Sequence, residues 1–124
     1  MDLSIAQMMT LQRELYARHV GQWSPTEPEY GKEFMLYLVE ELGEAIGILK
    51  KKGAKAIAED PATREKFLEE MADVLMYYHE ILIRFHVSPE EISAAYVKKH
   101  DRNMGRDYSG EYAKLYTGGN NTNG

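Results

Sequence analysis

EELGEAIGILKKKGAKAIAEDPATREKFLEEMAD, residues 40–73, is the stretch whose reading decides the fold. It holds two acidic clusters, Glu40-Glu41-Leu42-Gly43-Glu44 and Glu69-Glu70-Met71-Ala72-Asp73, each set in a helical apolar repeat. Between them lie a helix stop and a helix start. Lys50-Lys51-Lys52-Gly53 puts cations at the negative end of a helix dipole and glycine just past it. Ala54 to Glu59 adds a further turn or two, and Asp60-Pro61 then supplies an N-cap and a first-position proline. Carboxylates three residues apart on a helix share a face, so Glu41 with Glu44, and Glu70 with Asp73, each form a two-oxygen claw. Packed side by side, the two helices would bring four carboxylates together. Such a set suits a hard divalent cation, and Mg²⁺ is the usual occupant where phosphates also bind.

Upstream, Ile5, Met8, Leu11 and Leu15 follow the spacing of an amphipathic helix from about Asp2 to Val20. The prolines of Gln22-Trp23-Ser24-Pro25-Thr26-Glu27-Pro28 break regular structure. Trp23, the only tryptophan, lies in that loop, where it serves either as a cover over the core or as a flat surface for stacking a base. A long helix is predicted from about Glu29 to Lys52. Its apolar face comprises Met35, Leu38, Val39, Leu42, Ala45, Ile46 and Leu49. Glu41 and Glu44 fall at the border of that stripe beside Phe34, Tyr37 and Ile48, whereas Glu40 faces outward. A carboxylate in apolar company is costly unless it is paired or bound to metal.

From Pro61 to about His86 the main apolar face comprises Phe67, Met71, Val74, Leu75, Tyr78, Ile81, Leu82 and Phe85, with a smaller strip at Ala72, Met76 and Ile83. Glu70, Asp73, Tyr77, Glu80 and Arg84 form a polar ribbon between them. A helix apolar on two sides packs against two partners, so Met76 and Ile83 are expected at a subunit interface. Ser88-Pro89-Glu90-Glu91 starts a further helix. There Ile92, Ala95, Tyr96, Lys99 and Asn103 share a face, continued by Arg106, which directs Lys99 inward toward an anionic partner.

No strand pattern or internal repeat interrupts this series. The expected fold is all-α, a small bundle of four main helices completed by oligomerisation, with one domain over residues 1–117 and a disordered tail over 118–124. Without cysteine, zinc clusters, disulfide frameworks and thiol catalysis are excluded. A net charge of −5 argues against general nucleic-acid binding, and no apolar run approaches the roughly 20 residues of a membrane span. The acidic N-terminus does not read as a signal peptide, so a cytoplasmic location is expected. A carboxylate-bridged di-iron site would want Glu-x-x-His, and none of the four histidines has an acid three residues before it; they are expected at the surface or the core edge.

The series Glu40-Glu41-Leu42-Gly43-Glu44, Glu70-Met71-Ala72-Asp73-Val74-Leu75 and Lys99-His100-Asp101-Arg102-Asn103-Met104-Gly105-Arg106-Asp107-Tyr108 resembles the motifs of the MazG-like, all-α nucleoside triphosphate pyrophosphohydrolases. That superfamily includes the dimeric dUTPases and the dCTP pyrophosphatases. Order, spacing and helical placement match over roughly Phe34 to Tyr108. The resemblance implies hydrolysis of a nucleotide between its α and β phosphates, giving a monophosphate and pyrophosphate, in nucleotide-pool house-cleaning. It implies Glu41, Glu44, Glu70 and Asp73 as catalytic ligands of Mg²⁺, with Mn²⁺ as substitute, and Lys99, Asn103 and Arg106 as phosphate contacts. Tyr77 lies where such proteins contact the base or sugar, and Trp23 is the other candidate substrate contact. Further expectations are a nucleoside triphosphate as the small-molecule partner and a homo-oligomer, dimer or dimer of dimers. A phosphoribosyl-ATP pyrophosphatase-like activity and a non-catalytic helical interaction module remain the alternatives. Base, sugar, number of metal ions, general base and the role of Glu40 stay open.

Overall fold

The computed structural model describes residues 1–106, and those residues are helical with no strand among them. The expected tail over 118–124 and the motif residues Asp107 and Tyr108 lie outside the described residues. The elements are α1 (Ile5–Arg18), a 3₁₀ turn (Pro28–Tyr30), α2 (Gly31–Lys52), α3 (Ala54–Glu59), α4 (Pro61–Arg84) and α5 (Pro89–Met104). The chain divides into two units, residues 1–89 and residues 90 onward; of the second, the described part is chiefly α5. No described helix is long and apolar enough to cross a membrane.

Local chemistry sets the boundaries. Ser4 caps α1 through a reciprocal box, its hydroxyl accepting from the Gln7 amide at 3.1 Å while Gln7 Oε1 accepts from the Ser4 amide at 2.7 Å. Asp60 caps α4, its Oδ2 accepting from the Thr63 amide at 3.0 Å and the Thr63 hydroxyl at 2.6 Å, with Pro61 in the first turn. Gly53 closes α2 in a left-handed conformation, φ 88°, and donates its amide to Leu49 O. Gly31 opens α2 with the Phe85 ring pressed where a Cβ would stand, so a larger residue there would require the Phe85 ring to move.

Within the first unit, α2 and α4 pack along much of their lengths, α1 lies against α4, and the short α3 leans on both long helices. Met9, Phe34, Ala45, Leu82 and Ile83 are the buried apolar residues. Of the apolar stripe of α2, Ala45 is buried, while Met35, Val39, Leu42, Ile46 and Leu49 are exposed. On α4, Met71, Leu75, Tyr78 and Phe85 of the expected main face are also exposed, whereas Ile83, expected at a subunit interface, is buried within the chain. The helix pair meets along Phe34, Glu41 and Ala45 on one side and the ribbon of Glu70, Glu80 and Arg84 on the other, and so leaves the larger apolar stripes outside.

Candidate functional site

The packing of α2 on α4 brings three of the four expected carboxylates into one cluster. Glu41, Glu44 and Glu70 each place a carboxylate oxygen within 4.8 Å of the others. Glu70 is buried, Glu41 half-buried and Glu44 exposed, so the cluster opens to solvent at its Glu44 edge. Asp73 stands beside the cluster, close enough for its charge to act on Glu41 and on Tyr77. Glu40 is exposed on the outer side of α2.

Electrostatics within the cluster are strained in one direction. Glu41 is pushed up from 4.5 to about 7, first by its hydrogen bond to Glu70, then by burial and by the charges of Glu44, Asp73 and Glu70. Glu44 is raised chiefly through its hydrogen bond to Glu70. Glu70 is held low by its contacts with Glu41 and Glu44 and by Lys66, whose ammonium lies 3.2 Å from Oε1. Its second oxygen, Oε2, is buried and has no hydrogen-bond partner. A buried carboxylate oxygen without a donor is a coordination position waiting for a proton or a cation. Carboxylate oxygens are also the donors that hard divalent cations take, so the residues fit such an ion.

Next to the acids lies a cavity of about 330 Å³, lined among others by Trp23, Phe34, Tyr37, Tyr77 and Asp73. Asp73 therefore joins the acidic cluster to the cavity. Phe34, Tyr37 and Tyr77 form a mutual aromatic group with centroid separations of 5.3 to 6.0 Å. Trp23 faces it from the loop after α1, stacked on His19 at 4.5 Å. Tyr37 donates to Glu33 at 2.8 Å, and burial together with the neighbouring acids raises Tyr77 above the usual phenol range.

Two residues of this region escaped the sequence reading. Glu80 and Arg84 were legible only as the end of the polar ribbon of α4, yet both side chains are fully enclosed. Glu80 accepts from Arg84 Nε and from Gln12 Nε2, both at 3.2 Å. The same guanidinium donates to Ser24 Oγ, Ser24 O and Pro25 O at 2.8 to 2.9 Å and lies 3.7 Å over the Phe34 ring. Their i,i+4 spacing was the available signal, and alone it describes an ordinary surface pair.

The remaining expected residues lie on α5 or just after it. Within the second unit Lys99 is exposed, as is Tyr96, and no described residue of α5 is buried. Asn103 is half-buried with an unpartnered Oδ1, and the Arg106 amide donates to Asn103 O at 3.2 Å. Among the histidines, which were expected at the surface or the core edge, His79 is buried, its Nε2 3.2 Å from Met8 Sδ, and burial lowers its pKa.

No protein family, curated protein or solved structure matches the chain. What the site can do is therefore read from its own geometry and chemistry.

Proposed function

We propose that the protein is a divalent-cation-dependent nucleoside triphosphate pyrophosphohydrolase, and that the acidic cluster and the adjoining aromatic cavity are its substrate site. The observation that carries this reading is the convergence of Glu41, Glu44 and Glu70 within 4.8 Å, with Asp73 leading from them into a cavity walled by Trp23, Phe34, Tyr37 and Tyr77. A flat aromatic-walled cavity beside a carboxylate cluster matches a ligand with a planar ring at one end and metal-bound phosphates at the other.

In this reading Glu41, Glu44, Glu70 and Asp73 hold Mg²⁺ or Mn²⁺. A divalent cation bound by carboxylates polarises phosphoryl oxygens and lowers the pKa of a coordinated water. Trp23 and Tyr77 flank the base, the hydroxyl of Tyr77 lying near the acids. Lys99, Asn103 and Arg106 are the phosphate-binding groups that the motif resemblance assigns. The scission falls between the α and β phosphates and leaves a monophosphate and pyrophosphate. Assaying pyrophosphate release across canonical, deoxy and modified triphosphates and phosphoribosyl-ATP, with and without Mg²⁺, tests the reaction and ranks its substrates. Release from none of them would overturn the reading.

Self-association belongs to the same proposal. Val39, Leu42, Ile46 and Leu49 recur at helical spacing along α2, and Leu68, Met71, Leu75 and Tyr78 along α4; all are exposed. They border an apolar groove of about 380 Å³ that includes Leu42, Ile46, Leu49 and Met71. Apolar surface of this extent marks an association face, and a second copy of the chain completes the helical bundle.

A further inference from the structure

We propose that Glu80 and Arg84 are positioning residues that hold the aromatic cavity in shape for a planar ring. This inference rests on the reading of that cavity as the seat of a nucleotide base, and it concerns residues that never touch the phosphates.

Besides α4, which contributes Asp73, Met76 and Tyr77, three segments build the cavity: α1 through Gln12, the loop through Trp23 and Ser24, and α2 through Glu33, Phe34 and Tyr37. Neither Glu80 nor Arg84 lines it. They stand behind its walls and reach each segment. Glu80 takes the Gln12 amide from α1, and Arg84 takes the loop through Ser24 and Pro25. The Arg84 plane also supports the back of the Phe34 ring. The chain of contacts continues outward, because Ser24 Oγ donates to Glu33 Oε2 at 3.2 Å while Glu33 Oε1 accepts from Tyr37. One buried pair thus sets the positions of four polar residues that do line the cavity: Gln12, Ser24, Glu33 and Tyr37.

The chemistry of the pair suits this task better than it suits stability. Burying an ion pair costs desolvation of both partners, and apolar replacement of such a pair is often neutral or stabilising. What an apolar pair cannot do is donate in several fixed directions at once. The planar guanidinium makes four hydrogen bonds here, to Glu80, Ser24 twice and Pro25. Glu80 is an obligate acceptor, so it also decides which end of the Gln12 carboxamide faces it. Nε2 turns toward Glu80, and Oε1 is left buried without a hydrogen-bond partner in a residue that lines the cavity.

The double variant Glu80→Leu/Arg84→Met separates positioning from folding, because it removes the directed bonds and leaves no buried charge. As the only tryptophan, Trp23 reports the loop directly by fluorescence. Circular dichroism and a cooperative melt are expected to show a folded protein that Mg²⁺ still stabilises. Acrylamide quenching of Trp23 is expected to rise at least twofold, and the KM for a triphosphate at least tenfold, with a smaller change in kcat. A folded double variant with quenching and KM unchanged would overturn the proposal. Should that variant not fold, Arg84→Lys carries the same test, since a point charge cannot reproduce the fork; unchanged quenching there would overturn it equally. If no triphosphate is turned over by the unaltered protein, the proposed reaction fails, and the quenching comparison still decides whether the pair holds the loop.

Discussion

Glu41 on α2 and Glu70 on α4 bring carboxylate oxygens within 4.8 Å of one another, and this contact pushes Glu41 up and holds Glu70 low. Two carboxylates this close repel unless a proton or a cation stands between them. A pH dependence follows. A carboxyl whose pKa is raised on folding binds its proton more tightly in the folded protein, so its contribution to stability is complete below the ordinary value of 4.5 and is lost as the pH rises to about 7. Melting the protein in a chelator across that range should show Tm falling as pH rises, and Mg²⁺ or Mn²⁺ should restore it most strongly above pH 7, where the cation no longer competes with the proton. Buried His79, whose pKa is lowered, acts in the opposite sense near its ordinary value of 6.5, so the comparison is with Glu41→Gln: the same Tm profile in both proteins would show that Glu41 does not hold the proton.

Substituting Glu41→Gln should split stability from activity. The amide stays neutral at every pH and can still donate to Glu70, so the melting temperature of the metal-free protein is expected to stay the same below pH 7 and to rise above it, where Glu41 would carry a charge. Stabilisation by Mg²⁺ should shrink, and kcat should fall about a hundredfold or more, the scale on which losing one electrostatic contact to a developing charge acts. Retained turnover in Glu41→Gln and in Asp73→Asn would remove both from the metal site.

At the other end of the site, Trp23→Ala removes the loop's aromatic wall and leaves the acids intact. Stacking of a base on an aromatic side chain is worth about 1–3 kcal/mol, so KM for a nucleoside triphosphate should rise about tenfold to a hundredfold. Stabilisation by Mg²⁺ alone should not change. If KM stays the same, the cavity does not hold the base.

Helix boundaries were legible because they are written in local chemistry: Ser4 and Asp60 as caps, Gly53 as a stop, and Pro61 and Pro89 in first turns. The cluster of Glu41, Glu44 and Glu70 was legible for a related reason, since helical spacing fixes which residues share a face before any packing is known. Spacing does not say which of two apolar faces the chain itself will cover. On α4 Leu82 of the main face and Ile83 of the smaller strip are buried while Met71 and Leu75 stay exposed, a division decided by which helix arrives, a property of the tertiary fold. Glu80 and Arg84 were illegible for the same reason. Their burial depends on the Ser24–Pro25 loop closing over them from about 60 residues away, which no pattern within α4 encodes.

The exposed stripes on α2 and α4 give a last expected outcome. Ile46 stands at the middle of the α2 stripe, half exposed, with Leu42 and Leu49 one turn to either side. A charge placed there would have to be desolvated in any association that covers the stripe, at a cost that an apolar interface cannot offset. It would stay in water in the separated chain. Ile46→Glu should therefore shift the protein toward the mass of a single chain in sedimentation or light scattering, while circular dichroism reports unchanged helix content. If the unaltered protein is already a single chain at micromolar concentration, the stripe is not an interface between copies; if it is oligomeric and Ile46→Glu leaves it so, the interface lies on another face.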